Sequence, residues 1–231
     1  MRLDKFICKS TSLSKPQALA AIHDGEVCVN GEIAQNEAMQ VHENNLVTLN
    51  GSRLKARPFR YLLMHKPADT ICSNIDERYP SVFNYVAVEN VSELHIVGRL
   101  DADTTGLVLM TDDGRWSYNI TVPSKQCEKC YRVGLSRPIA ENVAALFKRG
   151  VQLQGEDTLT RPARLEVINP QEVLLTITEG KFHQVKRMFS AVGNRVVSLH
   201  REKIGAIQLD VPQGQWRYLT DDEVASFGDA Q

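Results

Sequence analysis

One aspartate is set apart by its surroundings. In the stretch 98–114, GRLDADTTGLVLMTDDG, Asp101 stands between the apolar run of Leu94, Ile96 and Val97 and a second run over 107–110. Gly98, Gly106 and the turn signal Asp112-Asp113-Gly114 punctuate them. The spacing predicts a strand-to-strand loop carrying Asp101 with Arg99 and Asp103, a setting in which a side chain can meet a ligand while a sheet holds its base. A carboxylate so placed can act as nucleophile or general base. It could equally belong to a solvated connection, so the rest of the chain has to decide.

The second chemical constellation is basic. Between positions 181 and 203 the chain carries Lys181, Lys186, Arg187, Arg195, Arg201 and Lys203 against the carboxylate of Glu202 alone, with His183 and His200 added. The net charge of the whole chain is only -1, so a local cationic surface, not a global one, would have to bind phosphate. Val185, Met188, Phe189 and Val192 recur at helical spacing and predict a helix over 182–192, stopped by Gly193. Lys186 and Arg187 then lie off its apolar face and reach the edge or cleft of a sheet. A cation beside a carboxylate keeps it ionised, which suits a nucleophile and a structural ion pair alike.

Other chemistries fit less well. Cys127 and Cys130 form a C-x-x-C, but no second pair completes a tetrahedral metal set and the alternation around Tyr131 reads as a strand, so free thiols and no metal are expected. The run LHIVGRLDADTT superficially matches the D-x-D-x-T of aspartyl-phosphate phosphatases, yet Gly98-Arg99 interrupts the strand and the doubly wound parallel pattern is missing. A glycosidase would need a second carboxylate several ångströms away, and Asp103 is close in sequence.

The 231 residues, 42% hydrophobic and 24% charged, are those of an ordinary globular protein of two domains. No segment has the run of about 20 apolar residues needed to span a bilayer, and the N-terminus lacks a secretory pattern, so a cytoplasmic protein is expected. Residues 1–51 read as a small unit of two helices followed by strands that turn at Asn30-Gly31 and Asn50-Gly51. The basic, aperiodic stretch 52–59 reads as a linker, and 60–231 as the larger domain. Strands are expected at 61–65, 94–97, 107–110, 129–135, 151–153, 164–168, 173–177, 195–199 and 206–209, and helices at 138–149, at 182–192 and after the capping box of Thr220 and Glu223. Strands outnumber helices without βαβ alternation, which predicts an α+β fold: a mostly antiparallel, mixed β-sheet with flanking helices.

Two resemblances sharpen these readings. RLDKF, SLSKPQALAAIHDGEVCVNGEIA and VHENNLVTLNG, over the first quarter of the chain, resemble the alpha-L RNA-binding module named after ribosomal small-subunit protein four. HKP at 65–67, the block 98–114, EKCYRV at 128–133 and ITEGKFHQVKRMFSAVGNRVVSLHREKIGAIQL at 177–209 resemble, in this order, the motifs of the RsuA-type pseudouridine synthases. The match is long and ordered, and TTGLVLMTDDG and HQVKRMF stand nearer to members acting on small-subunit 16S ribosomal RNA than to large-subunit ones. One departure is visible: where the family often has Lys-Pro-x-Gly, Lys66-Pro67 is followed here by Ala68-Asp69.

The resemblance implies a catalytic role for Asp101, a platform for the target uracil in Tyr131, a cation paired with the aspartate in Lys186, and a substrate contact from Arg99; Arg187, beside Lys186 on the basic helix, is expected to contact substrate as well. In the alpha-L module the resemblance implies RNA contacts from Arg2, Lys5, Lys9 and Lys15. It further implies ribosomal RNA as partner, a uridine at position 516 of 16S RNA as target, no cofactor, no membrane and a monomer. The isomerisation detaches a base, turns it and rejoins it through carbon 5, and a single carboxylate can serve it at the sugar or at the ring. A stacked base is out of reach, so the target has to be flipped out. The rival is a non-catalytic RNA-binding or assembly factor in which Asp101 is structural.

Overall fold

The computed structural model describes residues 1–42 and 44–228. The chain divides into two compact units, Met1–Pro58 and Phe59–Gln231, and positions 229–231 of the expected larger domain lie outside the described residues.

In the first unit, α1 (Leu3–Ser10) and α2 (Lys15–His23) precede a four-stranded antiparallel sheet of order β2-β1-β3-β4, with β1 at Val27–Val29, β2 at Glu32–Ile33, β3 at Val47–Leu49 and β4 at Ser52–Arg53. Helix α2 starts where the sequence suggests, with the Gln17 side chain accepting the Ser14 backbone N–H at 2.8 Å. At both expected hairpin turns the two central residues have positive φ: Asn30 and Gly31 at 54° and 88°, Asn50 and Gly51 at 48° and 80°. Leu3, Ile7, Ala18, Ile22, Val27 and Val47 form its core. The expected linker is different: Ser52–Arg53 pair with β3, and the Leu54 N–H donates to Val47 at 2.9 Å. The Asn50-Gly51 turn reverses the chain, so residues 52–53 become a strand partner and not a connection.

The second unit is built on a nine-stranded sheet whose main path is β13-β5-β7-β11-β8-β10-β9. Its strands are β5 (Tyr61–Lys66), β6 (His95–Val97), β7 (Thr105–Thr111), β8 (Lys129–Leu135), β9 (Arg164–Asn169), β10 (Glu172–Ile177), β11 (Val196–Ile204), β12 (Ile207–Gln208) and β13 (Trp216–Tyr218). Strands β6 and β12 pair with β7 and β11 outside that path. Only β7 with β11 is parallel, through Thr105↔His200 and Gly106↔Arg201, so the sheet is mixed but mostly antiparallel. Alternation divides its central strands between two cores. Leu62, Met64, Val108, Met110 and Val133 face one side with Phe147 and Phe189, whereas Leu63, Leu107 and Leu109 face the other with Trp116, Ile204 and Ile207.

The helices are α3 (Gly114–Thr121), α4 (Val143–Arg149), α5 (Gln184–Ala191) and α6 (Asp221–Ala225). Helix α3 is not predicted from the sequence, in which 112–114 reads as a turn. Asp113 is in fact its N-cap, accepting the Arg115 and Trp116 N–H groups at 2.9 and 3.1 Å, and glycine at the first helical position hides the start. Helix α4 begins later than the expected 138, because the Ile139 N–H is committed to Pro170 at 2.7 Å. The expected strand 151–153 closes a loop instead: the Val151 N–H donates to Thr160 Oγ1 at 3.0 Å, and its carbonyl accepts from the Thr160 N–H at 2.9 Å.

Candidate active site

Asp101 lies in the loop 98–104 between β6 and β7, which pair from His95↔Thr111 to Val97↔Leu109. A buried cation shapes this loop from beneath. Lys66, at the end of β5, is 0% exposed, and its ammonium donates to the carbonyls of Pro67, Ala102 and Thr104 at 3.0, 3.1 and 2.8 Å. Burial pushes its pKa below the ordinary lysine value, although nearby carboxylates work in the other direction. The Asp69 N–H donates to Ala102 from the other side of the turn at 2.9 Å. Asp69 adopts φ +57°, a left-handed conformation for which glycine is the easiest residue and aspartate among the better substitutes. The Lys-Pro-Ala-Asp departure therefore preserves the turn.

Helix α5 supplies the other half. Val185, Met188 and Phe189 enter the core, which leaves Lys186 facing the loop: its Nζ lies 2.9 Å from Asp101 Oδ2 and 2.7 Å from Asp103 Oδ1. Burial opposes the Lys186 charge, but the hydrogen bonds and charges of Asp103 and Asp101 together outweigh it and raise its pKa. The Lys186 hydrogen bond, acting against partial burial, holds the Asp103 carboxyl below its usual range. His183, the N-cap residue of α5 at φ +47°, brings Nε2 to 3.3 Å from Asp101 Oδ1. The Asp101 carboxylate is thus contacted on both oxygens while its side chain stays 31% exposed, a partly open carboxylate in a cationic setting.

The turn before α5 is braced. The Gln184 side chain, buried, accepts the Lys181 N–H at 2.8 Å and donates to Glu179 at 2.9 Å. Arg187 donates to Glu156 Oε1, to the Phe182 carbonyl and to the Gln154 carbonyl at 3.0, 2.9 and 2.6 Å. Hydrogen bonds from Lys181 and Arg187 hold the Glu156 carboxyl below its ordinary value.

A second buried cation ties Tyr131 to the loop. Arg201 on β11, 2% exposed, donates to the carbonyls of Leu107 and Gly98 at 2.8 and 2.6 Å and to the Tyr131 hydroxyl at 3.3 Å. Tyr131 is an inward residue of β8, 8% exposed. The parallel pairing brings the Gly106 backbone onto that of Arg201. At φ +113°, a Cβ on Gly106 would sit 2.6 Å from the Arg201 nitrogen, so only glycine fits.

The residues singled out from sequence are therefore distributed unevenly. Asp101 and Lys186 are in contact, and Tyr131 shares Arg201 with the base of the loop. Arg99 is exposed and, among the described residues, makes no hydrogen bond or ion pair. Arg187, expected to contact substrate, is occupied in bracing the 154–156 loop. In the first unit Lys5 and Lys15 are exposed, and Arg2 forms a two-point pair with Asp4. Lys9, expected to contact RNA, is 6% exposed and faces the interior of its unit. Phe182 and Lys66 entered no sequence-based role, and His183 and Arg201 were read only as members of a cationic surface, not as partners of Asp101 and Tyr131. Their contacts go largely to backbone groups or across 80 residues or more, and residue spacing carries no sign of either.

Among the described residues no cluster of three or more His, Cys, Asp or Glu side chains is placed to hold a metal ion, and no helix is long and apolar enough to cross a membrane. Comparison with known proteins adds identity to geometry. Residues 60–191 match the model of the RNA pseudouridylate synthase family and residues 1–47 that of the S4 domain. "Ribosomal small subunit pseudouridine synthase A" of Salmonella typhimurium (strain LT2) is 49% identical over 231 residues, covering 99% of this chain and 100% of that protein. The proteins of the same name from Escherichia coli (strain K12) and Vibrio cholerae serotype O1 are 48% and 47% identical, each over 98% of this chain and 99% of the relative. A solved structure described as a pseudouridylate synthase superposes with TM-score 0.72 at 43% identity, covering 98% of this chain and 99% of the other. With residues 60–191 of the larger unit matched and relatives matched nearly end to end, the chain belongs to the RNA pseudouridylate synthase family.

Proposed function

We propose that this protein converts one uridine of small-subunit ribosomal RNA, position 516 of the 16S molecule, into pseudouridine, with Asp101 as its single catalytic carboxylate and no cofactor. The observation that carries the reading is the Asp101–Lys186 pair at 2.9 Å, set on a loop pinned from below by Lys66. The substrate class is taken from the relatives, which are named for the ribosomal small subunit.

The reaction breaks the bond between C1′ and N1, turns the uracil, forms the bond between C1′ and C5, releases the C5 proton and returns a proton to N1, so that the product is an isomer of the substrate. No electrons are gained or lost, and no group is donated. The Asp101 carboxylate serves as nucleophile or as base, at the sugar or at the ring, as carboxylates do at oxocarbenium-like centres. Lys186 and His183 fix its two oxygens, so that little reorganisation is needed when charge moves in the transition state. The target leaves its stack to reach Asp101. Tyr131, steadied by Arg201, offers the ring against which the uracil packs, and Arg99, with no partner among the described residues, is free for a phosphate. Arg2, Lys5 and Lys15 of the S4-matched unit add sequence-independent grip on RNA. The protein works as a cytoplasmic monomer.

The test is tritium release from 16S transcripts labelled at uracil C5, comparing wild type with Asp101→Asn in the presence of chelator. Release by the wild type alone, with RNA affinity of the variant within about twofold, is the expected result. Binding without release by the wild type, on free and on partly assembled small-subunit RNA, would replace the enzyme by a non-catalytic RNA-binding factor.

A further inference from the structure

Phe182 is the most exposed large apolar side chain among the described residues, at 75%. No other exposed large apolar side chain lies between Ile168 and Val197 in the chain. Nor is Phe182 a loosely held side chain. Its ring stacks on that of His183, centroids 3.7 Å apart and planes 22° from parallel, and His183 is in turn anchored on Asp101 Oδ1 at 3.3 Å. Its carbonyl accepts from Arg187 at 2.9 Å, and the turn on either side is held by Gln184 and Glu179. The fold therefore presents a flat aromatic face to solvent, one ring away from the group that touches the catalytic carboxylate. A lone ring backed by an imidazole and surrounded by charged groups suits a planar heteroaromatic partner, because stacking needs only a π-face and tolerates polar edges, whereas an aliphatic surface would leave those edges unsolvated.

We propose that the outer face of Phe182 receives a base of the RNA adjacent to the target uridine. This rests on the reading of the protein as an RNA pseudouridine synthase acting at Asp101. The stacking distances exclude the target itself. A base on the outer face of Phe182 is separated from His183 by two stacking layers of roughly 3.5 Å each, too far for its sugar to meet the carboxylate that His183 touches. The neighbour of a flipped nucleotide loses a stacking partner when the target leaves the strand, and Phe182 replaces that partner, so that part of the cost of flipping is recovered at the mouth of the site.

The experiment uses the full-length protein and a 16S fragment containing the target uridine, with the fluorescent base 2-aminopurine placed either 5′ or 3′ of it. Wild type, Phe182→Ala and Phe182→Trp are compared for fluorescence change on binding, for RNA affinity and for tritium release from the C5-labelled fragment. Wild type is expected to change the emission at one of the two positions. Phe182→Ala loses that change and weakens binding about tenfold, and Phe182→Trp restores both. As an exposed side chain Phe182 contributes little to stability, so unchanged thermal melting of the alanine variant separates loss of stacking from loss of fold. An alanine variant with wild-type affinity and wild-type emission change, alongside tritium release by the wild type, overturns the proposal while leaving the enzyme reading intact. Absence of release by the wild type itself removes both.

Discussion

Lys186 serves two carboxylates at once, and the consequences can be read at single residues. Removing its charge in Lys186→Met leaves Asp101 and Asp103 facing each other without a cation; turnover is expected to fall roughly a hundredfold with KM little changed, and Lys186→Arg to recover much of it. Steady-state kinetics on a 16S fragment decide this. Tyr131→Phe deletes only the hydroxyl that Arg201 holds at 3.3 Å, so it should be far milder than Tyr131→Ala, which removes the ring and leaves a cavity in the core. The pairing also has a pH signature. The Asp103 pKa is lowered, so its contribution to stability is present above the ordinary value of 3.8 and is lost as pH falls through the lowered one. His200, whose pKa is pushed down first by burial and then by His65, behaves in a related way. Its neutral form is the one the fold prefers, so stability is full above the ordinary 6.5 and declines as pH drops below it. Melting temperatures recorded from pH 7 to pH 5 should decline, and less so in His200→Gln.

At the scale of elements, the site depends on how a loop and a helix are secured more than on what they display. Lys66→Met keeps the apolar stem but takes a donor from three carbonyls; those of Pro67 and Ala102 keep the Thr70 hydroxyl and the Asp69 N–H, whereas that of Thr104 loses its bond to the lysine. A loss of about 2–4 kcal/mol is expected, with activity falling more steeply than stability; chemical denaturation and tritium release on one preparation measure both. Gly106→Ala collides with the Arg201 backbone and should cost at least ~3 kcal/mol, or prevent folding, which the same denaturation series would reveal. These supports mark the limit of what sequence could disclose. The loop around Asp101 was legible because glycines and turn residues punctuate two apolar runs, and α5 because its core residues recur at helical spacing. The donors beneath the loop were not, since a lysine bonded to backbone carbonyls 36 and 38 residues away leaves no local pattern. Helix α3 was hidden for the opposite reason, its aspartate cap and glycine start being the same residues that make a turn.

For the whole molecule, the two units have separate cores, one built on Leu3, Ile7 and Ile22 and the other on the two faces of the large sheet. A chain beginning at Phe59 is therefore expected to melt cooperatively and to keep its turnover at saturating RNA, while KM rises on the order of a hundredfold through loss of a tethered RNA contact; kinetics at fixed salt check it. The division into a small N-terminal unit and a larger α+β unit was legible from composition and turn signals, whereas RNA binding by the first was suggested only by its resemblance to the alpha-L module. The strand order was not, because nothing local announces that β7 and β11, far apart in sequence, run side by side. That parallel seam has a temporal meaning. Asp101 precedes Lys186 by 85 residues, so at about 5–20 residues per second a ribosome takes about 4–17 s to deliver the cation after the carboxylate. Until α5 and β11 have emerged and packed, a nascent chain carries Asp101 with neither Lys186, His183 nor Arg201 to set it, and the site comes into being only late in the chain's own synthesis.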